Sequence, residues 1–166
     1  RDTRPTADRV RQALFDILAH SPLVDLEDAR VVDVFAGSGA LGLEALSRGA
    51  VHCTFMEKDH KAALCLQANI KALGAEGETA LLRLDATRPP AAPEPCTLAF
   101  LDPPYRKGLV APCLAALAAG GWLADGALAV VEVGEDEAVE PPPGFHAVDE
   151  RERGAARLVF LVYHRP

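Results

Sequence analysis

The stretch VVDVFAGSGALGLEALSRGA, residues 31–50, decides the fold of this chain. It opens with a short apolar run typical of a buried strand, passes through a glycine-rich turn at residues 36–39, and continues as a helix over residues 41–48. Gly49 follows that helix at the position where glycine most often ends one. A strand, a glycine-rich turn and a helix in this order are the first unit of a doubly wound α/β sheet.

Strand and helix patterns alternate outward from this unit along the chain. Apolar residues at helical spacing from Val10 to Leu18 predict a helix that has Thr6 at its capped start and precedes the sheet. Further strands are predicted at residues 51–56, 79–84, 97–101 and 127–133, and further helices at residues 60–73 and 109–119. Two final runs, 145–150 and 157–163, predict an antiparallel hairpin. The predicted fold is therefore seven mostly parallel strands with helices on both faces and a C-terminal hairpin, an arrangement that resembles the Rossmann-like sheet of class I methyltransferases.

Composition favours a single cytoplasmic domain over residues 1–166. The chain is long enough to bury one apolar core, and although 49% of its residues are hydrophobic, no run approaches the length of a membrane span. Without a leader pattern, we expect a cytoplasmic location and no membrane. The four cysteines lie in predicted strands or helices without C-x-x-C spacing, so we expect reduced core thiols and no metal site.

The net charge of −7 is distributed unevenly. Residues 125–153 carry nine acids and two arginines, so this segment accounts for the whole excess and the remainder is neutral. The cations outside it gather in two places, which are Arg1, Arg4, Arg9 and Arg11 near the amino terminus, and Arg106 with Lys107. A local basic footprint for nucleic acid therefore stays open beside the alternative of scattered, solvated charge.

The glycine-rich turn has the spacing G-x-G-x-x-G at Gly37, Gly39 and Gly42, and Glu57 stands twenty residues beyond Gly37 at the end of the next predicted strand. Glycines let the backbone approach a ligand closely, and an acid at that position accepts hydrogen bonds from both ribose hydroxyls. The pattern predicts an adenosine-containing ligand without separating NAD from S-adenosylmethionine.

Two further acids favour S-adenosylmethionine. Asp33 lies within the first predicted strand, where it can reach the amino-acid part of that ligand. Asp85 ends the third predicted strand, where it can accept a hydrogen bond from the adenine amino group. These acids are expected at one edge because the carboxyl ends of parallel strands share one edge of the sheet.

The motif Asp102-Pro103-Pro104-Tyr105 follows the apolar run at residues 98–101, so it is expected where a buried strand meets the same edge. Proline fixes φ and restricts its predecessor, which holds Asp102 and Tyr105 at a set distance. Such a rim suits a nucleobase that stacks on Tyr105 while Asp102 and the Pro103 carbonyl accept hydrogen bonds from an exocyclic amino group. The alternative is a turn that only ends a strand.

These motifs together resemble the RsmD family, whose members methylate guanine N2 in small-subunit ribosomal RNA. The resemblance covers nearly the whole chain in matching order, and its residues are Arg4-Pro5-Thr6-x-x-Arg9-Val10, the stretch 33–50, Glu57, Asp102 to Tyr105, and Gly121-Trp122-Leu123. It implies methyl transfer from S-adenosylmethionine, with S-adenosylhomocysteine as product and no metal, to guanine 966 of 16S ribosomal RNA in the usual numbering. It also implies that the RNA is met in an assembled or assembling small subunit and that the enzyme is a cytoplasmic monomer.

The resemblance assigns roles to individual residues. The catalytic motif comprises Asp102, Pro103, Pro104 and Tyr105. The residues that hold the donor are Thr6, Arg9, Asp33, Phe35, Gly37, Ser38, Gly39, Glu57, Lys58, Asp85, Ala86 and Asp102. The residues that contact RNA are Arg4, Arg11, Tyr105, Arg106 and Lys107. Residues 1–20 supply the amino-terminal signature and a helix that packs over the donor site.

Three other functions stay open. A DNA or RNA adenine-N6 amino-methyltransferase shares the catalytic set, although no insertion of the size of a target-recognition segment is visible. An NAD-dependent dehydrogenase accounts for the span from Gly37 to Glu57 but leaves Asp102 to Tyr105 without a task. A binding module without catalysis on the same fold gains slight support from the acidic run at residues 132–140.

Overall fold

The computed structural model describes the backbone of residues 4–104 and 107–166, and the side chains from residue 7 onward within those ranges. The helices are α1 (Arg4–His20), α2 (Ala40–Ser47), α3 (His60–Ala72) and α4 (Val110–Ala119), with a short 3-10 turn at Glu76–Glu78. The strands are β1 (Arg30–Val34), β2 (His52–Met56), β3 (Thr79–Leu82), β4 (Cys96–Leu101), β5 (Leu123–Gly134), β6 (Phe145–Arg153) and β7 (Ala156–Tyr163). None of the helices in these ranges is long and apolar enough to cross a membrane.

The strands form one sheet in the order β3-β2-β1-β4-β5-β7-β6. Strands β1 to β5 run parallel, and β7 lies antiparallel between β5 and β6. The predicted Rossmann-like sheet with its C-terminal hairpin is therefore confirmed. The strand order reverses between β1 and β4, and ligands of open α/β sheets bind outside the carboxyl ends of the strands at such a switch point.

The sheet separates two apolar cores. One face packs against α1, α2 and α3, and Phe15 of α1 is completely buried there. The opposite face is covered by α4, through residues such as Leu114, and by the irregular segment 83–95. Trp122 is buried on this face, and its Nε1 donates a hydrogen bond to the Pro90 carbonyl oxygen at 2.8 Å. A proline-rich segment therefore takes the place of a helix between β3 and β4.

Helix α1 begins at Arg4, so Thr6 lies inside the helix and not at its cap as predicted. Pro5, which lies between Arg4 and Thr6, is compatible with a helix that starts before Thr6. Pro5 is tolerated in the first turn of a helix because its missing N–H has no partner in the helix there.

Strand β5 begins four residues earlier than predicted, at Leu123. The turn-like composition of residues 124–127 interrupts the apolar pattern and conceals this extension in the sequence. Leu123 still pairs with Cys96, and the ladder absorbs the intervening residues as an irregularity before Leu98 pairs with Leu128. Such irregularities insert extra residues into one strand without ending the sheet.

All four cysteines are free, as predicted, but one of them is not a core residue. Cys53, Cys96 and Cys113 are buried, whereas Cys65 is exposed on α3. Its neighbour Leu66 takes the inward position of the helix, so Cys65 faces outward. The prediction of a core thiol is wrong for Cys65.

Candidate functional site

A cavity of about 570 Å³ opens at the carboxyl edge of the sheet, beside α1. Its volume falls within the range of small-molecule sites, roughly 300–1,000 Å³. Its lining includes six of the predicted site residues, which are Arg11, Asp33, Phe35, Gly37, Ser38 and Asp102. Helix α1, the turn after β1 and the segment after β4 therefore bring predicted residues together around one cavity.

The turn after β1 has an unusual backbone conformation that neighbouring elements hold in place. Phe35 has a φ of +59°, which is unfavourable for a residue with a side chain, and Gly37 has a φ of +58°. Gly37 N donates a hydrogen bond to Glu57 Oε1 at 2.7 Å, and Asn69 Nδ2 donates one to the Ser38 carbonyl oxygen at 2.9 Å. Strain of this kind is concentrated at functional sites, where the surrounding structure stabilises it.

The three glycines of the turn serve different purposes. A Cβ atom on Gly39 would lie 2.2 Å from Leu66 Cδ1, and one on Gly42 would lie 2.6 Å from Cys53 Sγ. A Cβ atom on Gly37 would meet nothing within 4 Å. Gly39 and Gly42 thus permit close packing against α3 and β2, whereas Gly37 is needed for its backbone conformation.

Asp33 is a buried acid at the centre of the site, with 2% of its surface exposed. Its Oδ2 accepts a hydrogen bond from Gly42 N at 2.9 Å. Burial raises the pKa of Asp33 to about 8; the Gly42 bond opposes this rise, while the charges of Asp102 and Glu57 add to it. A cationic group brought into the cavity would favour the ionised form of Asp33.

The other two acids of the predicted donor site lie outside the cavity lining. Glu57 accepts hydrogen bonds from Gly37 N at 2.7 Å and from Asp59 N at 2.8 Å. Asp85 is exposed, and its Oδ1 accepts hydrogen bonds from Thr87 N and Thr87 Oγ1, which lower the pKa of Asp85. Each carboxylate keeps further acceptor positions, so the ribose and adenine contacts stay predictions.

Asp102 follows β4 directly and faces the cavity, where water reaches its side chain. The walls of the cavity nevertheless exclude bulk water on the other sides. This desolvation, and secondarily the negative charge of Glu132, raises the pKa of Asp102 to about 7. Near neutral pH such a carboxyl group is present in both forms, so it can accept a hydrogen bond or a proton from an amino group.

Seven further predicted residues within the described ranges are not part of the cavity lining. Arg9, Lys58, Pro104 and Lys107 are exposed, and Gly39, Ala86 and Pro103 are buried. The side chains of Arg4 and Thr6, and the whole of Tyr105 and Arg106, lie outside the described residues.

The cavity also contains residues that the sequence-based site did not include. Glu132 of β5, Arg153 at the end of β6 and Ala156 at the start of β7 all contribute to its lining. One of them had a signal in the sequence, because Glu132 is the only charged residue in the predicted strand 127–133. Within the described ranges, no group of side chains is arranged to hold a metal ion.

Comparisons with known proteins extend over the whole of this site. A family model described as Conserved hypothetical protein 95 matches residues 1–162. The chain is 39% identical over 163 residues to Ribosomal RNA small subunit methyltransferase D of Escherichia coli strain K12, covering 98% of this chain and 79% of that protein. It is 34% identical over 155 residues to the protein of the same name from Haemophilus influenzae, covering 91% and 78% of the two chains.

A solved structure shows the same similarity in three dimensions. The structure described as a methyltransferase, yhhF, from Escherichia coli superimposes with a TM-score of 0.82 at 35% sequence identity, covering 98% of this chain and 89% of that one. Because the likeness spans nearly the entire chain, it includes both the glycine-rich turn and the segment that follows β4.

Proposed function

This chain belongs to the Conserved hypothetical protein 95 family, the RsmD family, and from that premise we propose that it methylates 16S ribosomal RNA with S-adenosylmethionine as donor. The acceptor in this proposal is the exocyclic N2 of a guanine, at position 966 in the usual ribosomal RNA numbering. The relatives named above support the ribosomal RNA part of the proposal through their names. The guanine part rests on the resemblance of the motifs.

One observation carries the proposal. Asp33 and Gly37, which belong to the predicted donor site, line the same cavity as Asp102, which belongs to the predicted base-holding motif. Methyl transfer requires the two reactants to meet in a fixed orientation. Such orientation alone can supply roughly 7–11 kcal/mol of the barrier in well-aligned reactions.

The charges around the cavity fit the donor. S-adenosylmethionine has a sulfonium and an ammonium group, and the cavity provides the buried carboxyl group of Asp33 for a cation. It also provides Arg11 and Arg153 for the carboxylate of the donor. The raised pKa of Asp33 supports the pairing of Asp33 with a cationic group of the donor, because a nearby positive charge favours the ionised form of a buried carboxyl group. When bound, the donor supplies an electrophilic methyl group.

The acceptor base is oriented by Asp102 and Tyr105 in this proposal. A carboxylate at Asp102 can accept from N1–H and N2–H of guanine, which are adjacent donors, whereas the edge of adenine combines a donor with an acceptor. Stacking on Tyr105 contributes roughly 1–3 kcal/mol by analogy with single-strand binding proteins. Since the pocket takes an unstacked base, the target lies in a loop or is flipped out of its helix.

Positioning matters more than proton removal in this mechanism. A positioned base contributes roughly 10²–10⁴-fold in rate, less than the possible gain from orientation. The proton lost by the amino group passes to the carboxylate of Asp102, whose pKa of about 7 suits a proton acceptor near neutral pH.

Arginine and lysine side chains provide the RNA contacts of this proposal. Arg4, Arg106 and the exposed Lys107 are assigned to phosphates, which position the RNA. Arg11 forms ion pairs with Asp8 at 2.9 Å and with Glu44 at 3.6 Å, which favours a role in the cavity wall for Arg11. The enzyme is proposed to act as a cytoplasmic monomer on an assembled or assembling small subunit.

A labelled-donor assay tests this function. The protein is incubated with S-adenosylmethionine labelled in its methyl group and with either naked 16S ribosomal RNA or small-subunit particles from a strain that lacks the enzyme. We expect label in RNA at one guanine, identified by nucleoside analysis and mapping, with the particle and the naked RNA compared directly. Label on adenine N6 would instead establish the adenine-modifying alternative.

A thermal-shift comparison of two cofactors separates the proposal from a dehydrogenase. S-adenosylhomocysteine is expected to raise the unfolding midpoint because it binds only the folded protein, whereas NADH is expected to leave the midpoint unchanged. Stabilisation by NADH alone, without methylation of any RNA, would overturn the proposed function.

A further inference from the structure

The ends of β4 and β5 place two carboxyl groups side by side. In the parallel pair of these strands, Leu101 is the register partner of Val131. The next residue along each strand is an acid, Asp102 on one side and Glu132 on the other. Neighbouring strands are about 4.8 Å apart, so the two acids begin from adjacent backbone positions.

Both side chains also point to the same face of the sheet. Val131 and Val133 pack in the core on the α4 face, as does Leu101. Because successive residues of a strand face opposite sides, Glu132 and Asp102 face α1. Both acids accordingly line the cavity that contains the predicted donor site.

Neither acid has an internal partner in the described part of the chain. No hydrogen bond or ion pair joins Asp102 or Glu132 to residues 7–104 or 107–166, in contrast to Asp33, which is bound to Gly42 N. No ion pair joins the two arginines of the cavity to these acids: Arg11 pairs with Asp8 and Glu44, and Arg153 Nη1 donates to the Glu152 carbonyl oxygen at 2.7 Å. A carboxylate accepts hydrogen bonds, so both acids offer acceptor positions to a donor group that enters the cavity.

We propose that Glu132 is a second residue that positions the target base, accepting a hydrogen bond from its amino edge alongside Asp102. This inference rests on the proposed function and adds a specificity-determining group to it. Guanine presents three hydrogens on adjacent atoms, N1–H and the two of N2, which two neighbouring carboxyl groups can accept. Adenine presents its N1 lone pair at the corresponding place, and that lone pair would face an ionised carboxylate. The pair therefore favours guanine over adenine.

The charge of Glu132 influences the pKa of Asp102, so a change at Glu132 should alter the pH dependence of the reaction. Burial raises the pKa of Glu132, and its negative charge contributes to the raised pKa of Asp102. Among the described residues, the other charged groups that line the cavity are Asp33 from β1, Arg11 from α1 and Arg153 from β6, and the lining turn at 35–38 contributes no titratable side chain. Removing the charge of Glu132 lowers the pKa of Asp102, because one like charge is lost.

The test compares Glu132→Gln with Glu135→Gln, a matched change at an exposed acid outside the cavity. For methylation of ribosomal RNA, kcat/KM of Glu132→Gln is expected to fall roughly 10- to 100-fold, the range for a lost hydrogen bond to a charged group. The acid limb of its rate profile is expected to move to lower pH. Binding of S-adenosylhomocysteine, measured by calorimetry, is expected to stay within about threefold. Glu135→Gln is expected to match the wild-type protein throughout.

A binding measurement provides a readout that is independent of turnover. Ribosomal RNA with guanosine or inosine at the mapped nucleotide is bound in the presence of S-adenosylhomocysteine; inosine lacks the 2-amino group. The wild-type protein is expected to prefer guanosine, and Glu132→Gln to lose most of that preference. Glu132→Asp, which keeps the charge, covers the case in which the glutamine variant does not fold, and it should retain the wild-type pH profile at reduced kcat/KM.

The outcomes distinguish this inference from the proposed function. If the wild-type protein methylates ribosomal RNA and Glu132→Gln retains its rate, pH profile and preference for guanosine, the role of Glu132 is wrong and the function stands. An equal loss of S-adenosylhomocysteine affinity and of rate would place Glu132 on the donor, and would likewise overturn the inference. If the wild-type protein methylates no RNA, the proposed function itself fails.

Discussion

The carboxyl edge of the sheet has two halves that differ in how their acids are satisfied. At the ends of β1, β2 and β3, the acids Asp33, Glu57 and Asp85 each accept a backbone hydrogen bond at 2.7–2.9 Å. At the ends of β4 and β5, Asp102 and Glu132 have no partner within the described ranges. We call these the closed half and the open half of the edge.

The difference indicates a division of labour. Hydrogen bonds within the closed half fix the glycine-rich turn before a ligand arrives, which suits a donor that is the same in every reaction cycle. The open half keeps its acceptors free for a group that must be recognised from outside. Glu132 is half-buried and has no partner within the described ranges, which costs stability, and such costs are typical of functional positions.

The largest effect is expected at the open half, from Asp102→Asn. The amide keeps the shape of the side chain but cannot take up the amino proton, so methyl transfer should fall roughly 10²–10⁴-fold. Affinity for S-adenosylhomocysteine should stay within about threefold, since the closed half is intact. Single-turnover kinetics and calorimetry check the two quantities. An equal loss of rate and cofactor affinity would show that Asp102 of the open half also binds the donor, so that donor binding is not confined to the closed half.

Two glycine substitutions test the closed half, and they destabilise the turn for different reasons: a steric clash at Gly42 and a positive φ at Gly37. Gly42→Ala places a Cβ atom 2.5 Å from Phe55 Cε1 and 2.6 Å from Cys53 Sγ in a buried region, and should reduce the free energy of unfolding by roughly 1–3 kcal/mol. Gly37→Ala meets no atom but must adopt a φ of +58°, at a cost of about 1–2 kcal/mol.

Denaturant unfolding and cofactor binding, measured together, separate these two causes. For Gly37→Ala, we expect the loss of S-adenosylhomocysteine affinity to exceed the loss of stability, because Gly37 lines the cavity. For Gly42→Ala, the loss of stability should dominate. The reverse order would show that the packing of the turn, and not its backbone conformation, shapes the donor site.

The two halves also differ in how much of them the sequence reveals. The closed half is encoded locally, because the spacing of Gly37, Gly39 and Gly42 within one strand-turn-helix unit already predicts a turn that approaches a ligand. The acids at the strand ends follow from the parallel topology, which the alternation of strands and helices predicts. What the spacing does not predict is the left-handed conformation of Phe35, which a residue with a side chain rarely adopts.

The open half depends on register, which the sequence does not display. Asp102 and Glu132 are thirty residues apart, and only the pairing of β4 with β5 makes them neighbours. Glu132 also begins the acidic run 132–140, so in the sequence it is grouped with surface charge. The early start of β5 at Leu123 was hidden for a related reason, since residues 124–127 resemble a turn.

A smaller effect is expected from the pH dependence of the closed half. The carboxyl group of Asp33 has a pKa of about 8 in the folded protein and 3.8 in its usual state. Between these values the folded state binds more protons than the unfolded state, so the contribution of Asp33 makes stability fall as pH rises from about 4 to 8. Asp33→Asn keeps an acceptor for Gly42 N and removes the ionisation.

Thermal unfolding of the ligand-free protein at several pH values checks this prediction. At pH 8, Asp33→Asn should unfold at least about 2–4 °C above the wild-type protein, the shift expected of 1 kcal/mol in a domain of this size. Near pH 4 the two midpoints should converge. Asp25→Asn, at an exposed acid, serves as the control and should show the wild-type slope. If the unfolding midpoint of Asp33→Asn changed with pH as steeply as that of the wild-type protein, a group other than Asp33 would set the pH dependence of stability.

The smallest effect is expected at Asp85, the exposed member of the closed half. Its bonds to Thr87 lower the pKa of Asp85, so it is ionised at neutral pH, the form that the predicted hydrogen bond from the adenine amino group requires. Asp85→Ala should weaken S-adenosylhomocysteine binding several-fold, with no measurable change in the unfolding midpoint. Thr87→Val removes one donor to Asp85 and leaves the carboxylate in place, so it should bind the cofactor nearly as the wild-type protein does. If both variants weaken binding equally, Asp85 acts only by shaping its turn, and the closed half holds the donor through Asp33 and Glu57 alone.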